Sequence, residues 1–365
     1  MSDLTTKHML PLYEQIKVPT TGFSGMFQSP EANYFNAKEV EWDVIRDDDD
    51  VAITLTDLNS GYTWNTAGVG TNKSVLPGLI KEGMSLDSSK LYDREYGDDP
   101  FMDRDFRSKI QTRVMRGMNK LEAKILRAIE WQAAQVLQTG SATLTDADGN
   151  TSYTINYSPK TAHFPTAGTS WASETTAGKI ADIRGIADEI NKNSGGRARV
   201  LIAGKNVIDN LEADTGVQAL FDNRNIFAGQ LARPEWLDNG LIYHGTLKFG
   251  GSYVYELWSY DRYYKDPQTG TKTPYLDPGK VIVMDPDARL DALFGGIPNI
   301  GKQLGVMQPI LPELTGRFTM PGRGRDFFSN VWMDPNGETL HFGLGVRPLM
   351  VPTAIDMYGC LDTQL

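Results

Sequence analysis

The sequence predicts an α+β fold, and three observations carry that expectation. One run of helical periodicity, residues 103–138, is far longer than an ordinary globular helix. Apolar residues alternate with period two over 38–58, with strand-like runs again at 241–260. From residue 179 onward, helical stripes and short buried runs follow one another as in a compact mixed domain. The chain of 365 residues is 40% hydrophobic, enough for one large or two medium cores. Mean hydropathy is −0.36, and no stretch approaches the roughly 18 apolar residues of a membrane span. The opening MSDLTTKHMLPLYEQ lacks the charged and apolar regions of a secretion signal. Cys360 is the single cysteine, so no intramolecular disulfide forms and no cysteine-rich zinc site exists. A net charge of −10 speaks against a protein whose whole surface grips nucleic acid.

Residues 1–37 carry Pro11, Pro19 and Pro30 among Gly, Ser and Thr, with Phe23, Phe27 and Phe35 spread between them. This reads as an extended arm with aromatic anchors, which dock either on another chain or on the arm's own domain. In 38–58, Val40, Trp42 and Val44 form one strand-like run and Val51, Ile53 and Leu55 a second. The acidic run Asp47–Asp50 between them lacks the alternating ligands of a calcium loop and reads as a solvated hairpin tip. Residues 59–100 are glycine-punctuated, and Ala67-Gly68-Val69-Gly70-Thr71 lacks the lysine and following helix of a phosphate-binding loop. Together, 38–100 predicts a long two-stranded excursion that is unstable alone and needs a neighbouring surface.

The helix over 103–138 would run about 54 Å at 1.5 Å per residue. Phe106, Ile110, Val114, Leu121, Ile125 and Ile129 form its stripe, Gly140 its stop, and Gly117 marks a kink or a close approach. Between 103 and 130 it holds eight basic and four acidic residues, whereas 38–60 holds two basic and eight acidic. The acidic hairpin of one copy meeting the basic helix of another is one reading; nucleic acid against the helix, or a solvated face, are the others.

Asp148-Gly149 between two β-prone runs predicts a hairpin over 141–157, and Tyr157 stands where a calcium loop needs glutamate. Residues 158–178 read as a crossing loop with Trp171 embedded. Ile180, Ile183, Ile186 and Ile190 make a helical stripe ended at Ser194-Gly195-Gly196. Residues 198–203 form a buried strand, a short helix starts at Val207, and 280–285 is strand-like. His8, His163, His244 and His341 are far apart in sequence, without a metal-binding spacing, and no nucleophile elbow is present. Cys360 has no motif around it, and Arg323-Gly324-Arg325 reads as a solvated basic turn. An enzyme on this scaffold therefore has no residues to nominate; neither cofactor nor metal is expected.

The segment from Asn239 to Pro286 resembles the major capsid protein E family of lambda-type tailed phages. The resemblance rests on Tyr243-His244-Gly245, Val254-Tyr255-Glu256, Tyr263-Tyr264, Leu276-Asp277-Pro278-Gly279 and Val281-Ile282-Val283. Pro77-Gly78, the charged helix from Phe101 and Arg347-Pro348-Leu349-Met350-Val351 are similar to the family as well. The resemblance implies an HK97-like capsid fold with an N-terminal arm (1–37), an extended E-loop (38–100), a peripheral domain with a long spine helix (101–177 and 331–365) and an axial domain (178–330). It implies a major capsid protein that self-assembles into the icosahedral shell around the phage double-stranded DNA genome. The expected partners are sister copies in hexamers and pentamers, a portal, non-specifically held DNA and, optionally, a decoration protein. A separate scaffold protein is expected because the arm begins so near the first residue. The expected places are the virion and, during assembly, the host cytoplasm. No lysine–asparagine cross-linking pair is carried over. An encapsulin-type bacterial compartment shell has the same fold and is the alternative. Contacts between copies are expected at Trp64, Val69, Leu76 and Pro77 in the loop and at Arg107, Arg113 and Arg116 on the helix. Residues 62–80 are expected to serve assembly and not folding.

Overall fold

A computed structural model of the chain describes residues 21–35, 39–44, 71–91, 106–145, 151–220, 235–236, 239–248, 254–267, 269–297 and 328–365. In its first half lie strands β1 (Val40–Val44), β2 (Thr71–Val75), β3 (Ile80–Asp87), β4 (Ser141–Thr145), β5 (Thr151–Asn156), β6 (Val200–Ala203), β7 (Glu235–Trp236) and β8 (Leu241–Lys248). They are followed by β9 (Val254–Tyr260), β10 (Tyr263–Lys265), β11 (Lys272–Pro274), β12 (Lys280–Met284), β13 (Asp291–Phe294), β14 (Phe328–Met333), β15 (Thr339–Val346), β16 (Pro348–Val351) and β17 (Tyr358–Asp362). The helices are α1 (Phe106–Thr139), α2 (Thr176–Ser194), α3 (Lys205–Ala213) and α4 (Thr215–Gln218).

The centre of the molecule is a six-stranded mixed sheet in the order β17-β12-β6-β9-β8-β7. Strand β6 runs parallel to β9, and the other neighbours are antiparallel. Strand β12 reads Lys-Val-Ile-Val-Met because both of its faces are covered. Val281 and Val283 join a core with α2 and α3, while Ile282 and Met284 join a second core with α1. Leu201 and Ala203 split from Ile202, and Leu361 from Cys360, in the same alternation.

Helix α1 is about 51 Å long at 1.5 Å per residue. Its stripe, Val114, Met118, Leu121, Ile125, Ile129, Ala133 and Leu137, is buried at three- and four-residue spacing. It ends where Gly140 turns left-handed at φ +63° and donates its N–H to the Val136 carbonyl at 2.8 Å. One part of the helix lies on the antiparallel sheet β14-β15-β3, with Gly117 against the Phe342 ring. The glycine thus marks a close approach.

Helix α2 starts at Thr175, whose hydroxyl accepts from the Gly178 N–H, and ends at left-handed Gly195. Its first turn carries Lys179, buried and paired with Asp214 at 3.0 Å. Asp214 also accepts from the Thr176 hydroxyl at 2.7 Å and caps α4 through the Gly216 and Val217 N–H groups. Trp171, embedded in the crossing loop, is fully buried and donates its indole N–H to Asp182 at 2.9 Å.

Two placements bear on the expectations. Residues 331–365, grouped above with the spine helix, divide among three sheets: β14 and β15 join β3, β16 joins β13, and β17 forms the edge of the six-stranded sheet. The arm residues Phe23 and Phe27 are buried in the chain's own α1 core, so the described part of the arm docks on its own body. The acidic run Asp47–Asp50, the hairpin tip 146–150 and Arg323–Arg325 lie outside the described residues.

Gly117→Ala gains about 1 kcal/mol of helix propensity, but its methyl group would lie 2.5 Å from the Phe342 ring. Overpacking costs about 1–3 kcal/mol, so urea unfolding shows a net loss. In a Phe342→Leu background the same change becomes neutral or stabilising. Asp214 is held down at about 2, against an ordinary 3.8, first by the Thr176 hydroxyl and then by Lys179 and the α4 amides. A depressed carboxylate stabilises the fold above its unfolded value and loses that contribution as pH falls through about 2. Asp214→Asn therefore costs about 3 kcal/mol at neutral pH by stranding buried Lys179. It also flattens the stability-versus-pH curve between pH 4 and 2, which acid titration of unfolding reads directly.

Candidate assembly surface

The surface offered to other molecules is built where strands run off the two cores. Among the described residues, strands β1 and β2 pair only with each other, in register from Val40↔Val75 to Val44↔Thr71. Val40 is buried in the α1 core, which roots the base of this hairpin. The chain then passes through Leu76-Pro77-Gly78-Leu79 into β3. Pro77 is buried beside Gly295, whereas Leu76 and Leu79 each stay 39% exposed. The link is therefore pinned by a proline and flanked by two exposed leucines.

The sheet β14-β15-β3 has unequal faces. Phe342, Leu344 and Val346 belong to the α1 core, and strand alternation turns Gly343 and Gly345 the other way. Gly83 lies directly across from Gly343, so this outer face is low in the middle. At one end of it, Trp332 stacks on His341 with ring centres 5.3 Å apart, and His341 Nε2 lies 3.1 Å from an Asp334 oxygen. Trp332, Met333 and Met84 are the exposed large apolar side chains of this sheet among the described residues.

The basic helix spends part of its charge inside the chain. Arg113 is buried, and Lys109, Arg113, Arg116 and Lys120 all interact within the chain. Lys124 meets Glu82 of β3 at 2.7 Å, an exposed pair that adds little stability. Of the nominated contact residues, Leu76 is exposed, Arg116 is partly exposed, and Pro77 and Arg113 are buried in their own chain. Arg107 falls in the first turn of α1. Trp64 and Val69 lie outside the described residues.

One arrangement resembling catalytic machinery was not legible in sequence. His244 Nε2 lies 2.7 Å from Ser259 Oγ, and His244 Nδ1 lies 3.4 Å from a Glu212 oxygen. The order Glu–His–Ser matches a hydrolase relay, but the exposure is inverted. Ser259, which would attack, is 6% exposed, while the Glu212 side chain is 57% exposed. Burial holds the His244 pKa below its ordinary 6.5 against the opposing pull of Glu212. The trio therefore ties α3 to β8 and β9. Buried His163 lies 3.0 Å from the Tyr358 carbonyl and 2.9 Å from the Asn193 amide, which positions the crossing loop. Burial pushes the Cys360 thiol up to about 12, so it is neither a nucleophile nor a ready metal ligand near neutrality. Among the described residues, no group of three or more His, Cys, Asp or Glu could hold a metal ion.

The other feature missed in sequence is Glu130, fully buried on α1. Its carboxylate accepts from the Phe23 and Ser24 N–H groups at 2.8 Å each, from the Ser24 hydroxyl at 2.6 Å and from the Tyr260 hydroxyl at 2.7 Å. No local motif distinguishes this glutamate from a solvated one, because its partners lie 106 to 130 residues away.

Comparison with known proteins follows from this geometry. No curated protein matches the chain. Among solved structures, one assigned as a prophage capsid protein from E. coli CFT073 aligns over 94% of this chain and 93% of its own, with 18% identity and a TM-score of 0.63. A protein of Gordonia phage Cozz aligns over 98% and 91%, with 12% identity and a TM-score of 0.49. The SrpI encapsulin of Synechococcus elongatus PCC 7942 aligns over 96% and 92%, with 11% identity and a TM-score of 0.42. The mixed helix-and-sheet fold is an HK97-like capsid fold. The model of one family, phage major capsid protein E, matches residues 5–358, nearly the whole length, and the chain belongs to that family.

Proposed function

We propose that this shell-forming capsid protein assembles as hexamers and pentamers into an icosahedral shell around packaged double-stranded DNA. The family match over residues 5–358 carries the reading. A rooted hairpin whose described strands form a two-stranded sheet, and exposed Leu76, Leu79, Trp332 and Met333, support it, because such surface is completed by sister copies. Many individually weak contacts then add up through multiplicity. In this reading the arm, E-loop, peripheral and axial divisions keep the boundaries 1–37, 38–100, 101–177 with 331–365, and 178–330. Residue 358–362 pairing with β12 makes the last strand a tie between the two larger divisions.

A separate scaffold protein, a portal and non-specifically held DNA complete the proposal, with assembly in the host cytoplasm and the virion as destination. No catalytic step belongs to it. The encapsulin alternative predicts a cargo enzyme inside the particle in place of a genome. Terminase, portal and scaffold genes beside this one separate the two readings.

Negative-stain microscopy of the purified chain, alone and with the neighbouring scaffold gene product, should show capsomers or shells. A compact monomer under every condition would overturn the reading. Because Pro77 is buried and β2 pairs with the rooted β1, the segment tested for assembly narrows from 62–80 to 45–70. Joining Val44 to Thr71 through an Asn-Gly turn, which suits a two-residue hairpin, should leave a folded chain that forms no shells. Leu76→Asp should change stability by no more than about 0.5 kcal/mol, as expected at an exposed site, yet reduce particle yield sharply.

A further inference from the structure

Lys109, Arg113, Arg116 and Lys120 of α1 interact within the chain, and Lys124 pairs with Glu82. A second basic feature stands apart from them, on the two-stranded hairpin β10-β11. Its register sets Tyr263 opposite Pro274, Tyr264 opposite Thr273 and Lys265 opposite Lys272. Tyr264 turns to the body, where its ring centre lies 6.1 Å from that of Trp131 on α1 and 5.0 Å from that of Tyr275. Strand alternation turns Tyr263, Lys265 and Lys272 the other way, and all three are exposed.

The two lysines are set against each other. The Asp266 N–H donates to the Thr271 carbonyl at 2.9 Å, and the Tyr275 N–H to the Arg262 carbonyl at 3.0 Å. Counting by twos between these pairs leaves Lys265 and Lys272 in the non-hydrogen-bonded position, where side chains of opposite strands come closest. Like charges directly opposite weaken a sheet, and a two-stranded hairpin has little stability to give up. Neither lysine has an ion-pair partner among the described residues. The acids of the hairpin are taken up elsewhere: Asp266 accepts from the Thr269 hydroxyl at 2.9 Å, and Asp261 lies beside the Tyr263 hydroxyl. Lysine also guards open strand edges, yet one serves that end, and a second directly across it adds repulsion.

We propose that this outer face of the β10-β11 hairpin receives the acidic run Asp47–Asp50 of a second copy. The match is one of charge and spacing. Residues 38–60 hold eight acidic and two basic side chains, and the run is their densest part. In an extended chain, carboxylates two residues apart share one face about 7 Å apart, so a run of four aspartates can set one against each lysine. The run starts three residues beyond β1, which Val40 roots in the body of each copy. Tyr263, 49% exposed, and Pro274 form an apolar shoulder at the next pair on the same face. An acidic strand laid across the lysines turns a repulsive pair into an attractive site. The contact rests on the shell assembly proposed above and names one of its surfaces.

Charge reversal and cross-linking of the full chain test the contact. Lys265→Glu with Lys272→Glu keeps like charges opposed, so the urea midpoint should stay at the wild-type value. Particle yield in negative stain should nevertheless fall at least roughly tenfold, because the reversed charge recurs in every copy of the contact. Converting all four of Asp47–Asp50 to lysine in that background should restore the particles. An unchanged yield, or no restoration by the reversed run, would overturn the docking. Cross-linking then identifies the partner, since the one native thiol, Cys360, is buried. With Lys272→Cys and either Asp48→Cys or Asp49→Cys in one chain, mild oxidation of particles should give disulfide-linked multimers on a non-reducing gel. A disulfide confined to single chains would refute a contact between copies. Particles free of any disulfide would refute the docking and leave shell assembly standing, whereas no particles from the wild-type chain under any condition would sink both.

Discussion

Burial of the β12–β6 ladder on both faces is the constraint from which the arrangement of the described residues follows. A strand that is apolar on both faces, as β12 is from Val281 to Met284, cannot turn either face to water, so α2 and α3 must cover one side and α1 the other. Once α1 is fixed by Ile282, Met284, Tyr358 and Cys360, its length carries it beyond the sheet. The β14-β15-β3 sheet then has a surface to pack on, through Phe342 at Gly117. The hairpin β1-β2 is rooted in the same core by Val40.

Much of this was legible because it is periodic. The helical stripe from Val114 to Ile129 and the runs at 198–203 and 280–285 announce their elements, since burial on one face or two leaves a countable pattern. Gly140 and Gly195 mark helix ends because a left-handed residue leaves a local signature. The joining of distant strands was not legible. Nothing in Tyr358–Asp362 states that it pairs with Lys280–Met284 rather than with the strands just before it, since pairing is decided by the whole packing. The arm posed the same difficulty: aromatic anchors were visible at Phe23 and Phe27, but not the surface that receives them.

The charges divide similarly. Exposed pairs such as Lys124–Glu82 give up little on separation, because water and salt replace the partner. Glu130, Asp291 and Asp214 are different in kind: each is mostly removed from water and saturated with donors from distant segments. A count of acids and bases along α1 treats Glu130 and Glu122 alike, although one organises three segments and the other is partly exposed. Of the nominated contact residues, Leu76 keeps a free apolar surface, while Arg113 and Pro77 are committed within the chain. Whether a side chain is spent inside or left for a neighbour is a property of the fold and not of its residue type.

The sealed position of Cys360 has a consequence for how copies could be joined. The chain has no other thiol, and this one lies inside the α1 core with its proton firmly held. Oxidants that would stitch surface cysteines together therefore find no purchase on the folded chain. Any rivet between neighbouring copies must be made of packing, charge or some chemistry other than sulfur. The resulting wall would be equally sound in a reducing interior and in open air.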